Sequence, residues 1–349
     1  MRIRKIAISL LLLAAGSVRA ADVVRTVAQD GSGDYRTVQE AFDAVPEHFT
    51  GGRWIIRVEP GRYYEKITLA EGKDRVTLVG RDARTTVLTY DDYSGKKRAD
   101  GKDIGTSRCQ SVAIDADDFI ASNITFENTH LNIREQPGEN KRSQGVALRV
   151  RGDRCALYDC RLVGNQDTFF GAGTGRIYLK NCYVEGNVDF IFGSSVMVFD
   201  RCTIHVNQHE SYIVAPSTLP EMRFGIVFLD CRITAKAIGA PDRDGVPFRH
   251  FYLGRPWHGE PQAVYIRCEE PASVHPEGWT VMSAEQKLFA EYRCTGPGAA
   301  PERLARRIMS RELTRAEAKA YTVKRIFART TFPAYGSDWK PAKDFSPGR

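Results

Sequence analysis

Four residues with reactive side chains recur at one fixed interval in the middle of the chain. Gln144 and Gln166 stand as far apart in the sequence as Asp167 and Asp189 do. If the chain repeats a structural unit of that length here, two amides and two carboxylates meet on one patch. Two adjacent carboxylates repel each other when both are ionised, so the pKa of one of them rises. The pair then consists of a protonated acid and an ionised nucleophile or base. The spacing alone is equally compatible with a polar ladder that hydrogen-bonds the backbone of the turns.

The motifs of several other enzyme classes are missing from the sequence. It contains no G-x-S-x-G elbow of a serine hydrolase and no H-E-x-x-H motif, and its seven histidines show no metal-binding spacing. The glycine-rich run Gly171–Gly175 lacks both the lysine of a phosphate-binding loop and the dinucleotide pattern, so a tight turn explains it better. We therefore expect neither a metal nor a cofactor.

A repeat that would position these residues runs through the same region. Segments with an apolar residue three before a cysteine and another two after it are centred on Cys160, Cys182, Cys202 and Cys231, and the first of these intervals equals that between the two glutamines. Short β-rich segments at a period of roughly 20–30 residues, punctuated by Gly, Asn and Asp, indicate stacked coils. No amphipathic helical pattern separates them, which disfavours βαβ units. We predict an all-β parallel β-helix, in which equivalent residues of adjacent coils lie about 4.8 Å apart.

The cysteines of these segments are predicted to form a ladder inside the coils. We interpret most of them as small buried apolar residues. The stacking distance also lies within the Cα range of a disulfide, so a bridge such as Cys182–Cys202 is compatible with the ladder.

Both ends of the predicted stack carry helical patterns. Thr37–Glu40 is a capping box, and apolar residues then follow at helical spacing as far as Val45. This predicts a short helix that closes the N-terminal mouth. Near the C-terminus, Pro301–Val323 has helical composition, with a second capping box at Thr314–Glu317. Between the ends, long loops near 91–106, 131–143 and 234–250 are where a binding cleft would form.

Residues 1–20 have the pattern of a secretory signal peptide. Basic residues lead into the apolar run Ile6–Ala15, which is too short to span a bilayer, and Ser17–Ala20 supplies a small-residue cleavage site. We expect an exported protein, secreted or periplasmic, without a membrane anchor, because no cysteine near the cleavage site could accept a lipid. Residues 21–349 are predicted to form a single domain, since no linker interrupts them.

Composition and charge agree with an exported globular protein. Hydrophobic residues make up 42% of the chain and charged residues 27%, which is ordinary for a soluble domain. The leader holds four of the 50 basic residues and none of the 43 acidic ones, so the remaining chain carries a net charge of +3 rather than +7. No block of Lys and Arg of the kind that binds nucleic acid is present, so we expect no nucleic-acid partner. A mild positive balance is compatible with a polyanionic substrate.

Four ordered segments around the reactive residues resemble the signature segments of the pectin methylesterases, also called pectinesterases. They are Q-G-V-A-L at 144–148, G-N-Q-D-T-F-F at 164–170, G-N-V-D-F-I-F-G at 186–193 and Y-L-G-R-P-W at 252–257. Further similarity covers nearly all of the chain after the leader. The resemblance implies a right-handed, single-stranded parallel β-helix. It also implies a metal-free esterase that acts, as a monomer, on methyl-esterified polygalacturonate (pectin) and releases methanol.

The resemblance also implies a role for each reactive residue. Asp189 looks like the nucleophile that attacks the ester carbonyl, and Gln144 and Gln166 look like the oxyanion hole. Asp167 looks like the acid that protonates departing methanol and then the base that activates water. Arg255 would pair with Asp189 and hold it ionised and oriented.

Binding positions and a disulfide follow from the same resemblance. The substrate-contacting positions of the family match Thr106, Val188, Phe192 and Trp257. Met282 replaces an aromatic residue that is common in plant members, which puts the role of this position in doubt. The disulfide of the family maps onto Cys182 and Cys202.

Three other functions remain as alternatives at this point. A related esterase acting on another ester, such as an acyl thioester, would keep the five catalytic residues but lose the sugar-binding aromatic residues. A glycosidase or lyase is less consistent, because two carboxylates suit a glycosidase but the paired glutamines do not, and no acidic cluster for a calcium-dependent lyase is apparent. A non-catalytic wall-binding β-helix would tolerate the loss of Asp167 or Asp189, and both are present.

Overall fold

The computed structural model describes residues 21–131, 142–342 and 345. The predicted signal peptide, residues 1–20, and most of the loop expected near 131–143 lie outside the described residues. Within them the chain forms 25 mostly short strands. In chain order these are β1 (Val23–Val27), β2 (Trp54–Val58), β3 (Gly61–Tyr64), β4 (Ile67–Leu69), β5 (Val76–Gly80), β6 (Thr86–Tyr90), β7 (Val112–Ile114), β8 (Ile120–Ser122), β9 (Thr125–Asn128), β10 (Leu148–Val150), β11 (Cys155–Tyr158), β12 (Arg161–Val163), β13 (Phe169–Gly171), β14 (Arg176–Lys180), β15 (Tyr183–Gly186), β16 (Ile191–Gly193), β17 (Val196–Asp200), β18 (Thr203–Val206), β19 (Ser211–Pro216), β20 (Ile226–Leu229), β21 (Arg232–Ala235), β22 (Phe251–Gly254), β23 (Gln262–Ile266), β24 (Leu288–Tyr292) and β25 (Arg311–Glu312).

The strands assemble into three parallel sheets. Sheet I has 11 strands in the order β1-β2-β5-β8-β11-β14-β17-β20-β23-β24-β25. Sheet II has the order β3-β6-β9-β12-β15-β18-β21, and sheet III has the order β4-β7-β10-β13-β16-β19-β22. Neighbouring strands of a sheet are mostly three strands apart in the chain, so each coil contributes one strand to each sheet. This is the predicted parallel β-helix.

The register of sheet I reproduces the intervals of the cysteine repeat. Cys155 pairs with Ile177, Ile177 with Met197, and Met197 with Ile226. These offsets equal, in the same order, the intervals between the successive cysteines of the repeat. The repeat read from the sequence is therefore the length of each coil. Because parallel strands place identical positions above one another, side chains with the same offset stack in rows.

Aromatic stacks of this kind fill the interior of the coils. Phe199, Phe228 and Tyr265 are in register in consecutive coils, and their rings stack at centroid distances of 4.7 and 4.4 Å. All three are essentially inaccessible to solvent. Each such ring pair contributes about 0.5–1.5 kcal/mol beyond the burial of its apolar area, so the stacks fix the vertical register of the coils as well as filling the core.

A sharp corner follows the sheet I strand in six successive coils and places a cysteine inside each of them. The residue before the cysteine has a positive φ at six successive corners, at Asp159, Asn181, Arg201, Asp230, Arg267 and Arg293. Their φ values lie between 50° and 53°, in the left-handed region that Asn and Asp tolerate better than most residues. The thiols that follow these corners contact one another from coil to coil. The predicted cysteine ladder is therefore present.

The disulfide expected between Cys182 and Cys202 is not formed. All eight cysteines of the chain lie in the described residues, and all are free. The Cys182 thiol donates to the carbonyl oxygen of Leu157 at 3.5 Å, and the Cys202 thiol donates to that of Leu179 at 3.5 Å. Each of these thiols also has a thiol neighbour on both sides, so the ladder singles out no one pair for a bridge.

A short helix closes the N-terminal mouth, as predicted. Helix α1 spans Val38–Asp43, and Thr37 and Glu40 form the reciprocal hydrogen bonds of a capping box. The Glu65 carboxylate accepts the backbone N–H groups of Val38 and Gln39 at 2.9 and 3.0 Å, which satisfies two further donors at the helix start. The apolar face of α1 is buried against the first coils.

The C-terminal helical segment is more fragmented than the sequence suggested. It contains three single-turn helices, α2 (Pro301–Leu304), α3 (Arg315–Ala318) and α4 (Val323–Ile326), and β25 separates α2 from α3. The second capping box, at Thr314 and Glu317, is present. The breaks allow the segment to follow the outer face of sheet I and cover its apolar side chains. No helix in the described ranges is both long and apolar enough to cross a membrane.

One buried arginine fastens this C-terminal segment to the middle of the β-helix. Arg176 is fully buried and pairs with Asp153 through two hydrogen bonds, of 2.9 and 2.6 Å. It also donates to the carbonyl oxygens of Phe327 and Ser337 at 3.1 and 2.6 Å, and it lies over the ring of Tyr335. The last described residues therefore complete the packing of coils that lie much earlier in the chain.

Candidate active site

A cleft of about 500 Å³ opens on the outer face of sheet III. The residues that precede β10, β13 and β16 supply its polar groups, and the residues that follow β22 supply its far wall. Its lining consists of Thr106, Ser107, Gln144, Gln166, Asp167, Phe170, Asp189, Phe192, Ala215, Arg255, Trp257 and Met282. All of the residues expected to be catalytic or substrate-binding are in this set except Val188.

Backbone hydrogen bonds show that the interval between the two glutamines is the coil length at this site. The N–H of Gly145 donates to the carbonyl oxygen of Gln166 at 3.1 Å, and the N–H of Asp167 donates to that of Val188 at 3.0 Å. In a parallel ladder this pattern places Gln144 beside Gln166 and Asp167 beside Asp189. Both aspartates have a positive φ, of 65° and 52°. Such sparsely populated backbone conformations cluster at active sites.

Asp189 is held by a two-pronged ion pair. Arg255 donates from Nε to Oδ1 at 2.8 Å and from Nη2 to Oδ2 at 2.6 Å. The guanidinium also lies 4.0 Å above the ring of Tyr212, which occupies the position equivalent to Asp189 in the next coil. Burial lowers the pKa of Arg255, but the Asp189 charge and hydrogen bonds outweigh this and raise it. The two hydrogen bonds hold the Asp189 carboxylate in one orientation against a positive charge.

Asp167 is in the opposite electrostatic situation. Only 8% of the residue is exposed, and within the described residues no group donates a hydrogen bond to its carboxyl. Burial raises the pKa of Asp167 well above its usual range, the charge of Asp189 raises it further, and Arg255 offsets part of this. The protonated form of Asp167 is therefore favoured beside the Asp189–Arg255 ion pair.

The side-chain amide of Gln144 is oriented by a serine. The Ser94 hydroxyl donates to Gln144 Oε1, and the Ser94 N–H donates to the Gln144 carbonyl oxygen at 2.9 Å. Because its oxygen is occupied by Ser94, the amide presents its N–H groups to the cleft. Gln166 lines the cleft from the next coil. Two side-chain amides therefore line the space beside the two aspartates.

Aromatic rings form the apolar part of the cleft. Phe170 and Phe192 are in register in consecutive coils and stack with their centroids 4.4 Å apart. The Trp257 ring meets Phe192 edge to face at 5.7 Å. The Trp257 backbone is fixed by its N–H bond to Pro216 and by Ser283, whose hydroxyl donates to the Trp257 carbonyl oxygen at 2.6 Å. The result is a rigid apolar wall next to the polar groups.

The remaining predicted binding residues have different positions. Thr106 begins a 3₁₀ turn, Thr106–Arg108, at the cleft edge, and Met282 lines the cleft with 39% of its surface exposed. Val188 does not line the cleft. Its backbone is used instead, because its carbonyl oxygen receives the N–H of Asp167. A side-chain role for Val188 in binding therefore has no support from its position.

Sequence reasoning missed three residues that shape the site. Ser94 orients Gln144, Tyr212 lies under Arg255, and Phe170 completes the aromatic stack. Phe170 could have been found from the coil length, since it lies one coil before Phe192. Ser94 is 50 residues from its partner and carries no local signal, so only the folded chain identifies it.

Two groups of side chains with metal-ligand chemistry lie away from the cleft. One consists of His209, Glu210 and His250, and the other of Glu270, Glu291 and Cys294. In the second group the cation position is occupied by Arg307, which donates to Glu270 at 2.7 Å and to Glu291 at 2.9 Å. Neither group contributes to the cleft lining.

The geometry of the cleft suits the hydrolysis of a carboxylic ester through a covalent intermediate. Two carboxyl groups, of which Asp189 is paired with Arg255, and two side-chain amides line one space. Such a set can supply a nucleophile, a general acid and an oxyanion hole. The aromatic wall is suited to an apolar sugar face or an ester methyl group.

Comparison with known proteins finds similarity to pectinesterases. The family model described as "Pectinesterase" matches residues 23–330. The chain is similar to the Arabidopsis thaliana protein named "Pectinesterase 31", with 38% identity over 284 residues that cover 78% of this chain and 83% of the relative.

Solved structures are similar over most of their length. The pectin methylesterase from carrot superposes with a TM-score of 0.73 at 29% identity, covering 88% of this chain and 92% of that one. A pectin methylesterase crystallised in complex with a hexasaccharide superposes with a TM-score of 0.74 at 26% identity, covering 91% of this chain and 98% of that one.

Proposed function

The chain belongs to the pectinesterase family, and from that premise we propose how its cleft hydrolyses the methyl esters of pectin. It is a carboxylic-ester hydrolase, a pectin methylesterase, which converts methyl-esterified homogalacturonan to pectate and methanol. To this activity we add proposals for the roles of individual residues, for export and for a monomeric state.

The first half of the reaction forms an acyl-enzyme. An ionised Asp189 oxygen attacks the ester carbonyl carbon, and the side-chain N–H groups of Gln144 and Gln166 stabilise the developing oxyanion. When the tetrahedral intermediate collapses, the bond to the methoxy oxygen breaks and Asp167 gives that oxygen its proton. Methanol leaves, and the galacturonate acyl group stays bound to Asp189 as an anhydride.

The second half returns the enzyme to its starting state. Asp167 is now ionised and removes a proton from a water molecule, whose oxygen attacks the acyl carbon. The same two amides receive the oxyanion and the bond to Asp189 breaks. The galacturonic acid that forms gives its proton to solvent and leaves as a carboxylate. Asp167 ends protonated and Asp189 ends ionised, so atoms and charges balance over one turnover.

These roles are supported by one observation: of the two stacked carboxyl groups, Asp189 is paired with an arginine and Asp167 is not. Arg255 grips Asp189 with two hydrogen bonds, whereas Asp167 is buried beside that negative charge and its pKa is raised. The environment therefore separates a nucleophile from an acid. The adjacent amides favour an oxyanion and hence acyl transfer, rather than cleavage of a glycosidic bond.

The aromatic wall supports a sugar polymer as the substrate. Trp257 and Phe192 present apolar surface beside the reactive groups, with Thr106 at the edge. We propose that these three residues contact the galacturonate units on which the enzyme acts. A relative crystallised with a hexasaccharide is consistent with this assignment.

The test is methanol release from highly methyl-esterified homogalacturonan in the presence of EDTA. The wild type should release methanol without shortening the polymer, and Asp189→Ala should release none. Release by both proteins would remove Asp189 from the mechanism. Release by neither would overturn the pectin assignment and leave another ester as the substrate.

We further propose that the chain is exported, cleaved after Ala20, and active as a monomer consisting of one domain over residues 21–349. The N-terminal charge and apolar pattern supports export, and so does a substrate that belongs to cell walls. N-terminal sequencing of the exported protein should start at Ala21, and its mass in solution should be that of one chain. A retained leader or a stable dimer would contradict the proposal.

A further inference from the structure

A second groove, of about 490 Å³, lies away from the catalytic cleft. One wall is the corner between sheets I and II in the last coils, and the other is formed by α3 and the residues that lead into α4. The side chains of Tyr292 and Tyr321 line it. The groove therefore combines aromatic surface with the exposed side chains of residues that occupy the corners of consecutive coils.

The charge in this groove is positive and largely uncompensated. Arg293, Arg315 and Lys319 line it and are exposed, and none of the three forms an ion pair with any residue in the described ranges. The acidic residues of the groove are already engaged. Asp230 binds Arg267 through two hydrogen bonds of 2.6 Å, and Asp200 accepts from the Tyr178 hydroxyl at 2.5 Å.

The arginines of the corner are arranged at the spacing of the coils. Ile266 pairs with Tyr292, so Arg267 and Arg293 occupy the same corner position in consecutive coils. Their backbones are therefore about 4.8 Å apart along the axis of the β-helix. This is of the same order as the distance between successive units of an extended sugar chain. A linear polyanion that contacts the free guanidinium of Arg293 would pass beside Arg267, which is paired with Asp230.

The fold itself does not require arginine at these corners. The corner residues have φ near 50°, a conformation that Asn and Asp adopt more easily than Arg. Earlier corners use Asp159 and Asn181 in the same conformation. The exposed cation at Arg293 thus stands where an amide or carboxylate would suit the backbone better.

We propose that this groove binds a linear polycarboxylate, namely stretches of galacturonan that have already lost their methyl esters. The identity of the polyanion rests on the proposed function, because each turnover converts a neutral ester into a carboxylate. The positive groove distinguishes the product stretch from the esterified stretch by charge alone. Holding the product end of a polymer raises the local concentration of its remaining esters at the cleft.

The test measures binding of fully de-esterified polygalacturonate to the intact mature protein, by affinity electrophoresis and calorimetry at several salt concentrations. The triple variant Arg293→Gln/Arg315→Gln/Lys319→Gln removes the three free cations. The matched control Arg57→Gln/Arg84→Gln/Arg306→Gln removes three exposed arginines elsewhere. The groove variant should bind at least tenfold more weakly, with a flatter salt dependence, and the control should lose less than twofold.

Activity is measured separately on short, fully esterified oligogalacturonates. The kcat/KM of the groove variant should stay within twofold of the wild type, because these substrates carry almost no charge. Equal weakening in both triple variants, or unchanged binding in the groove variant, would overturn the proposal. If the protein binds polygalacturonate through the groove but releases no methanol, the proposed function is refuted and the proposal that the groove binds a polycarboxylate still holds.

Discussion

Asp167 and Asp189 occupy equivalent positions in consecutive coils, yet only Asp189 is bound by a cation. Arg255 donates two hydrogen bonds to Asp189, and burial beside the resulting ion pair raises the pKa of Asp167. One backbone repeat thus presents the same side chain twice and places it in two different electrostatic environments.

Asp167→Asn should increase stability while it removes activity. The unfolded chain loses the Asp167 proton above pH about 3.8, whereas the folded state keeps it up to its raised pKa. The wild type therefore loses about 1.4 kcal/mol of stability per pH unit in that window. The variant does not titrate, so its advantage in unfolding free energy should grow as the pH rises above about 4. Denaturant titrations at each pH measure this difference, and the loss of a general acid should lower kcat by at least about 10²-fold.

The pH dependence is what separates this effect from simple repacking. A difference in unfolding free energy that stays constant between pH 4 and 7 would mean that Asp167 titrates normally in the folded state. That result would contradict its assignment as the acid.

Arg255→Lys should lower catalytic activity strongly, although lysine retains the positive charge. Lysine cannot donate two parallel hydrogen bonds to Asp189 or lie flat on Tyr212. We expect kcat to fall about 10²-fold in Arg255→Lys and about 10³-fold in Arg255→Gln, which leaves Asp189 without a counter-charge. Steady-state kinetics on esterified homogalacturonan would show this order, and equal activity in the two variants would argue against an orienting role.

Ser94→Ala should lower kcat about tenfold with little change in KM. Without the hydroxyl, the Gln144 amide loses the bond that turns its N–H groups toward the oxyanion. The matched control is Ser111→Ala, because the Ser111 hydroxyl is buried and has no hydrogen-bond partner among the described residues. A similar fall in both variants would indicate a general loss of packing near the cleft.

Trp257→Ala should act mainly on binding. The indole packs against Phe192 at the cleft wall and touches neither aspartate through a hydrogen bond. We expect KM for pectin to rise about tenfold or more, with kcat reduced by a smaller factor. If kcat fell and KM stayed the same, Trp257 would have to act in the transition state instead of in substrate binding.

The unfolded protein should react with eight equivalents of a thiol reagent, because all eight cysteines are free. Adding a reductant should then leave the melting temperature unchanged. Cys182→Ala should destabilise the fold by about 1 kcal/mol, through lost packing in the ladder. A count of six thiols, together with a melting temperature that falls on reduction, would show that one disulfide bridge is present in the protein.

The coil length made the centre of the site predictable. The interval from Cys160 to Cys182 placed Gln144 beside Gln166 and Asp167 beside Asp189, and backbone hydrogen bonds show that arrangement. The N-terminal helix was predictable because its capping box and apolar spacing are local. In both cases the sequence separation is either short or equal to one repeat.

What could not be predicted depends on loops and on side-chain direction. Ser94 reaches Gln144 across 50 residues that include a loop of no regular period. Val188 is expected to contact substrate; the structure shows its carbonyl oxygen accepting the N–H of Asp167, and its side chain is not among the cleft-lining residues. The Cys182–Cys202 bridge was expected from the family resemblance, and the ladder spacing was only compatible with it, because every neighbouring pair in the ladder has a similar spacing.

The link between Arg176 and the carbonyl oxygens of Phe327 and Ser337 has a consequence for how the chain is made. During synthesis the central coils emerge long before the segment that covers their outer face. Until the last residues are available, Arg176 lacks two acceptors and the apolar side chains beside it face water. Clipping the C-terminal tail of the finished protein would recreate that state, so damage at the end of the chain would loosen the middle of the β-helix, next to the catalytic coils.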